Sequence, residues 1–304
     1  MISVQVSGLE LWCWQQDAKQ KAIAANIPVS EVDWLLQEIA GLDRLSLRLE
    51  SFQTRSNIPL KLSLEALTQL WQQRTDARVP LQYLVGVAPW RQFLLAVSPA
   101  VLIPRPETEC LIDLAVIATQ LGSPGLAQPD LKRGDWADLG TGSGAIALGL
   151  AAAFPDAAIH AVDYSADALA IAQQNAQRYN MGDRIRFYQG SWFTPLTHLK
   201  ARLSGMVSNP PYIPNTIIPD LQPEVANHEP YLALNGGNDG LDCIRDLVAT
   251  APDYLISGGI WLIEMMAGQA EATMQLLQES GKYRDIRIHA DLAGIDRFAS
   301  AYRL

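Results

Sequence analysis

From residue 107 onward, short runs rich in strand-forming residues alternate with segments whose apolar residues have helical spacing. This alternation is the feature that most constrains the fold, because it is typical of a parallel sheet covered by helices on both faces. Ligands in such sheets bind at the carboxyl ends of the strands. The sequence predicts an α/β fold with strands at 136–139, 158–162, 185–188, 205–207, 260–263, 286–288 and 298–302.

The first eighty or so residues show helical spacing only. Residues 9–25 form one such segment, and a second carries Val32, Leu35, Leu36 and Ile39 on one face until Gly41 stops it. Ser63 precedes a third apolar pattern as a candidate cap. These patterns predict a small N-terminal helical bundle.

Prolines interrupt any helix between residues 80 and 106, and residues 90–97 alternate loosely and are rich in strand formers. A hairpin linker is the expected structure there. We therefore expect a helical bundle at 1–85, a hairpin linker at 86–105 and an α/β domain at 106–304.

Charge and composition narrow the function classes. The formal net charge is −9, and the acidic excess lies entirely beyond residue 98. A duplex nucleic acid surface usually carries a basic stripe, so we expect a basic protein partner rather than direct nucleic acid binding. The three cysteines and four histidines are scattered, which predicts no metal site. No apolar run approaches a bilayer span and no signal pattern begins the chain, so we expect a cytoplasmic protein.

A glycine-rich loop follows the first strand of the α/β region: Gly140-Thr141-Gly142-Ser143-Gly144. Glycines let the backbone turn tightly and approach a ligand, and Asp163 lies at the end of the next strand, where an acid can bind ribose hydroxyls. With Ala145 the loop also satisfies the relaxed dinucleotide fingerprint. Asp138 would repel a pyrophosphate and could hold the ammonium of a methionine, which favours S-adenosylmethionine; as an alternative, Asp138 and Asp163 are turn or capping residues.

Two further segments follow strands. Ser191-Trp192-Phe193 closes the third strand, where Trp192 either stacks on an adenine or fills core. Asn209-Pro210-Pro211-Tyr212 follows the fourth strand. Two prolines hold their carbonyls rigid without donors of their own. Beside an amide and an aromatic ring, this acceptor pair suits holding a planar NH2 group, so it indicates methylation of an amide or amino nitrogen; a proline-rich turn is the structural alternative.

Together these residues resemble the protein glutamine N5-methyltransferases, specifically the branch that modifies peptide chain release factors. The resemblance covers nearly the full chain. It also includes Ile103-Pro104-Arg105-Pro106-Glu107-Thr108-Glu109, Ala161-Val162-Asp163, Glu229-Pro230 and Asp291-Leu292-Ala293-Gly294-Ile295-Asp296-Arg297. It departs at Glu264-Met265-Met266-Ala267-Gly268, where the family commonly has an acid followed by histidine and glycine. We assign no role to that stretch from the resemblance.

The resemblance implies an N-terminal helical bundle that recognises the partner, a hairpin linker, and a seven-stranded, mostly parallel Rossmann-like methyltransferase domain. It implies that S-adenosyl-L-methionine, converted to S-adenosyl-L-homocysteine, is bound by Gly140, Thr141, Gly142, Ser143, Gly144, Asp163, Trp192 and Asn209. It also implies that Asn209, Pro210, Pro211 and Tyr212 bind the glutamine of a Gly-Gly-Gln loop.

Chemically, the Asn209 side-chain oxygen and the Pro210 carbonyl would accept hydrogen bonds from the two N–H groups of the glutamine amide and aim the nitrogen lone pair at the sulfonium methyl. Tyr212 would pack against the stem of the glutamine side chain. Two alternatives remain open. A ribosomal protein glutamine would be methylated by the same chemistry. Adenine-N6 methylation of DNA or RNA would use a similar motif but needs a basic strand-binding surface.

Overall fold

The computed structural model describes residues 4–121 and 130–304. The chain divides into two compact units, Met1–Gly86 with Pro223–His228, and Val87–Gln222 with Glu229–Leu304. The helices and strands of the first unit are β1 (Val4–Val6), α1 (Gly8–Ala24), α2 (Ser30–Ala40), α3 (Arg44–Arg48), β2 (Ile58–Leu60), α4 (Leu64–Asp76) and α5 (Leu81–Val85).

The helices α1, α2 and α4 begin and end close to where the sequence predicts. The Ser63 side chain caps α4 by accepting a hydrogen bond from the amide of Ala66 at 3.1 Å. Gly41 ends α2 with φ 63°, a left-handed conformation that glycine adopts without steric penalty. The sequence prediction missed the short helices α3 and α5, the second of which lies in the stretch 80–106 where prolines were expected to interrupt any helix. It also missed that β1 and β2 pair antiparallel, with Val4 opposite Leu60. Three-residue strands are too short for alternation to be recognised in sequence.

The second unit begins with the hairpin β3 (Val87–Trp90) and β4 (Phe93–Ala96). Its other helices and strands are α6 (Cys110–Leu121), β5 (Asp135–Leu139), α7 (Ala145–Ala153), β6 (Ala158–Asp163), α8 (Ala166–Arg178), β7 (Ile185–Gln189), β8 (Leu203–Ser208), α10 (Tyr231–Leu234), α11 (Asp242–Thr250), β9 (Leu255–Glu264), α12 (Ala270–Ser280), β10 (Tyr283–Ala290) and β11 (Asp296–Arg303); the intervening α9 (Pro223–His228) belongs to the first unit.

Seven of these strands form one sheet in the order β10-β11-β9-β8-β5-β6-β7. The pairs from β9 to β7 are parallel, and β10 and β11 add antiparallel pairs at one edge. The predicted seven-stranded, mostly parallel fold is confirmed. The chain runs from β5 outward to β7 and then returns to β8 beside β5, so β5 and β8 flank a topological switch point, where ligands bind in such sheets.

Buried apolar residues cover both faces of this sheet. Trp136, Ile159 and Val207 pack with α6, α7 and the hairpin on one face. Met206, Trp261 and Ile263 pack with α11 and α12 on the other. The strands are therefore apolar on both faces, and polar side chains collect where the strands end.

Candidate active site

A cavity of about 560 Å³ opens at the carboxyl ends of the parallel strands. The residues predicted from sequence that line it are Gly140, Thr141, Gly142, Ser143, Asp163, Trp192, Asn209 and Pro211. Gly144, Pro210 and Tyr212 are not among the lining residues that the structure describes. The structure thus brings segments from four strand ends to one cavity.

The glycine loop between β5 and α7 depends on backbone conformations that glycine tolerates best. Gly140, Gly142 and Gly144 have φ of 77°, 54° and 82°. The amides of Gly140 and Thr141 both donate to the Val162 carbonyl at 2.9 Å, which ties the loop to β6. A side chain at Gly144 would approach the Cβ of Ala172 to 3.1 Å. The loop is therefore both turned and packed in a way that requires glycine.

Asp163, at the end of β6, is held by the loop that it was predicted to accompany. One carboxylate oxygen accepts from the Gly142 amide at 2.8 Å and the other from the Ser165 amide at 2.9 Å. Burial raises the pKa of Asp163, while these backbone hydrogen bonds oppose the shift. Asp163 therefore both binds the glycine loop and lines the cavity.

Asp138 is fully buried and does not line the cavity, unlike the position that the sequence suggested. Its Oδ2 accepts from the Thr141 hydroxyl at 2.6 Å and the Ala147 amide at 2.9 Å. Its Oδ1 is buried and has no hydrogen-bond partner within residues 4–121 and 130–304. Burial raises the pKa of Asp138 to about 7. The side chain supports the glycine loop from below and retains one unused acceptor.

Trp192 borders the cavity from the segment after β7. Its φ is 47°, an uncommon conformation for a bulky residue. A side chain built on Gly140 would meet its ring at 3.5 Å, so the indole lies beside the glycine loop. The ring packs against the core cluster and also borders the cavity, so stacking on an adenine stays a prediction.

Asn175 is a buried residue that sequence reasoning missed. Its Nδ2 donates to the carbonyls of Ala96 at 3.0 Å and Ser143 at 2.8 Å, and its Oδ1 accepts from the Ala96 amide at 2.7 Å. A single carboxamide on α8 thereby joins the hairpin strand β4 to the glycine loop.

A chain of hydrogen bonds links Asn209 to a buried carboxylate at the end of β9. Asn209 Nδ2 donates to Thr108 Oγ1 at 3.1 Å, and the Thr108 hydroxyl donates to Glu264 Oε2 at 2.7 Å. The Tyr212 hydroxyl donates to Glu264 Oε1 at 3.0 Å. Burial raises the pKa of Glu264, against the two hydroxyl donors and the positive charge of Arg297, and burial also raises the pKa of Tyr212.

Thr108 and Glu264 were not among the predicted site residues. Glu264 is the last residue of β9, which pairs with β8. Because ligands bind at the carboxyl ends of parallel strands, its position could have identified it as a site residue. Thr108 lies within the segment 103–109 that the resemblance included, but nothing in its local spacing indicates a partner 156 residues away.

Two ion pairs involve the other segments of the resemblance. Arg105 Nη2 contacts both oxygens of the buried Glu229 at 2.8 and 2.9 Å. Arg297 Nε donates to Asp291 Oδ2 at 2.8 Å, and the Arg297 carbonyl accepts from the Met265 amide. Arg105 lies three residues before Thr108, and the bond between Met265 and Arg297 directly follows Glu264.

Within residues 4–121 and 130–304, no group of three or more His, Cys, Asp or Glu side chains is arranged to hold a metal ion. In the same described residues, no helix is both long and apolar enough to cross a bilayer.

Comparisons with known proteins agree with this architecture. The family "Methyltransferase small domain" matches residues 117–218. The catalytic domain of hMettl16, solved in complex with an RNA hairpin, aligns with a TM-score of 0.50 at 13% identity, covering 82% of this chain and 84% of that one. At this identity the likeness shows the fold alone.

Curated relatives match over nearly the full chain. A release factor glutamine methyltransferase of Synechocystis sp. is 52% identical, covering 98% of both chains. One of Thermosynechococcus vestitus is 50% identical, covering 95% of this chain and 96% of its own. With this identity, a methyltransferase fold and a cavity at its switch point, the chain belongs to the release factor glutamine methyltransferase family.

Proposed function

We propose that this protein transfers a methyl group from S-adenosylmethionine to the side-chain amide nitrogen of the glutamine in the Gly-Gly-Gln segment of peptide chain release factors. The observation that carries the proposal is the Asn209 carboxamide, which lines the cavity beside the glycine loop while its nitrogen is bound by Thr108. The names of the full-length relatives support the choice of substrate.

The residues of the cavity fit S-adenosylmethionine. A cavity of about 560 Å³ lies within the size range of small-molecule sites. Asp163 offers acceptors for ribose hydroxyls, and the Trp192 ring offers a face for the adenine. Asp138 does not line the cavity, so its role in this proposal is to hold the glycine loop through Thr141 and Ala147 rather than to contact the methionine ammonium. When bound, this cofactor supplies an electrophilic methyl group on a positively charged sulfur.

The protein's task is then to orient a weak nucleophile. An amide nitrogen is a poor nucleophile because its lone pair is delocalised into the carbonyl. Asn209 Oδ1 and the Pro210 carbonyl accept hydrogen bonds from the two N–H groups of the glutamine and aim its nitrogen at the methyl group. Pro211 and Tyr212 confine the glutamine side chain. Acceptors fixed in advance stabilise the positive charge that develops on the nitrogen. The proton leaves to water after transfer, so no general base is assigned.

The same proposal covers the partner and the division of the chain. We assign recognition of the release factor to the helical region at 1–85, which is supported by a compact unit of residues 1–86 and Pro223–His228. We assign the linker role to 86–105, a stretch that belongs from Val87 onward to the second unit. The acidic balance beyond residue 98 suits a protein partner better than a nucleic acid. A substrate that acts in translation places the reaction in the cytoplasm.

The experiment incubates the purified protein and labelled S-adenosylmethionine with release factor, ribosomal proteins and DNA in separate reactions. We expect label on the Gly-Gly-Gln peptide of the release factor. Asn209→Ala should lower kcat about a hundredfold, the scale of one lost contact to a developing charge. The matched control is Asn215→Ala. Asn215 lies three residues after Tyr212, and its substitution removes only an exposed hydrogen bond to Asn238. Label on ribosomal protein or DNA alone, or near-normal turnover by Asn209→Ala, would refute the proposal.

A further inference from the structure

We propose that Thr108 and Glu264 are positioning residues that decide which end of the Asn209 carboxamide faces the substrate. The inference deepens the proposed function and rests on it for the identity of the acceptor. It concerns two residues for which sequence offered no role, and one of them lies in the stretch where the chain departs from its family.

The direction of each hydrogen bond follows from the atoms available. An ionised carboxylate can only accept, and a threonine hydroxyl has one hydrogen and two lone pairs. Glu264 Oε2 therefore takes the Thr108 hydrogen at 2.7 Å, and Thr108 retains only acceptor capacity. Asn209 can satisfy that acceptor only with its NH2 group, as the 3.1 Å contact has it. Its oxygen then lies on the opposite side of the carboxamide, away from Thr108.

The carboxylate that begins this chain is itself held in place. Glu264 is only 2% exposed and occupies the last position of β9, opposite Phe298 of β11. The Tyr212 hydroxyl donates to its second oxygen at 3.0 Å. Both oxygens thus have donors, and a buried carboxylate with both oxygens occupied is fixed in orientation.

The consequence is a polarity for the substrate site. With its oxygen towards the cavity, Asn209 accepts an N–H from a primary amide; turned over, it would present two hydrogens to that N–H group and repel it. Asparagine alone does not choose between these states, since its two ends are nearly equal in size. Glu264, acting through Thr108, makes the choice.

The test is a double-mutant cycle between Thr108→Val and Asn209→Ala, measured with release factor. Thr108→Val keeps the shape of the side chain and removes the hydroxyl. We expect kcat to fall about tenfold, equivalent to about 1.4 kcal/mol, with a smaller change in KM for release factor. Thr108→Ser keeps the hydroxyl and should remain within about threefold of the unmodified protein.

The cycle distinguishes positioning from an independent contribution. If Thr108 acts through Asn209, Thr108→Val should change kcat less than about twofold in the Asn209→Ala background. Losses that multiply would overturn the inference. Thr273→Val is the matched control, because Thr273 is fully buried and its hydroxyl has no hydrogen-bond partner in the part of the chain that the structure describes. An equal loss from Thr108→Val and Thr273→Val would also overturn the inference.

A second readout needs no substrate. The side-chain NH2 resonance of Asn209, assigned by its disappearance in Asn209→Ala, should shift in Thr108→Val and stay unchanged in Thr273→Val. An unchanged resonance in Thr108→Val would refute the contact. Failure of the unmodified protein to label release factor would instead refute the proposed function and leave this spectroscopic result standing.

Discussion

Asp138 makes the folding stability of the α/β unit depend on pH in a direction opposite to that of most carboxylates. Its ordinary pKa is 3.8 and burial raises the pKa to about 7 in the folded protein. A group that binds its proton more tightly when folded stabilises the fold at low pH, and this stabilisation is lost as pH rises towards the folded pKa. The perturbation that isolates it is Asp138→Asn.

The magnitude follows from the shift. Each pKa unit corresponds to about 1.4 kcal/mol, so the full effect of the buried carboxylate is about 4 kcal/mol. Between pH 5 and pH 8, the contribution of Asp138 to the free energy of unfolding changes by about 2.5 kcal/mol. The asparagine oxygen can keep the bonds from Thr141 and Ala147, and its NH2 group takes the place of the unpaired Oδ1. Any penalty for that group is a constant offset, because asparagine does not titrate.

The assay is urea unfolding of both proteins from pH 5 to pH 8, with the free energy of unfolding taken as variant minus unmodified protein. All other titrating groups cancel in this difference. We expect it to rise in favour of Asp138→Asn by about 2.5 kcal/mol across the range. A difference that is constant with pH, or that falls, would refute the argument that an incompletely paired carboxylate is buried under the loop. The carboxyl carbon resonance of Asp138 provides a direct titration as a control.

Three further outcomes follow from the geometry. Gly144→Ala should destabilise the protein by about 1–2 kcal/mol because φ is 82°. The new methyl group would crowd Ala172 and shift the glycine loop, so cofactor binding measured by calorimetry should weaken as well. Unchanged affinity and melting temperature would contradict this. Arg105→Met should lower the free energy of unfolding by about 3 kcal/mol, because it leaves the buried Glu229 without its partner; a neutral effect in urea unfolding would show that the pair is dispensable. The pH profile of kcat should fall on its acid side at a pH above 4.5, the ordinary pKa of a glutamate, because burial raises the pKa of Glu264 and its protonation removes an acceptor. If the fall on the acid side persists unchanged in Glu264→Gln, it belongs to another group.

Sequence reasoning predicted the parts of the fold that local patterns encode. Alternating strands and helices, the cap at Ser63 and the stop at Gly41 depend on residues within one or two turns of each other. The short ladder between β1 and β2 was missed because three residues carry no readable period. The roles of the individual site residues remain predictions, although the structure brings most of them to one cavity.

The sequence by itself determined which chemical groups stand at the strand ends: a glycine loop after β5, an acid after β6 and a rigid amide-proline segment after β8. Tertiary structure decided what those groups contact. Glu264 lies beside the segment that follows β8 because β9 pairs with β8, and there it meets Thr108 from a segment 156 residues earlier. Asp138 keeps one oxygen without a hydrogen-bond partner among the described residues because it is buried beneath the loop. Hydrogen-bond partners between distant segments depend on strand adjacency and burial, and neither is written in the spacing of residues along the chain.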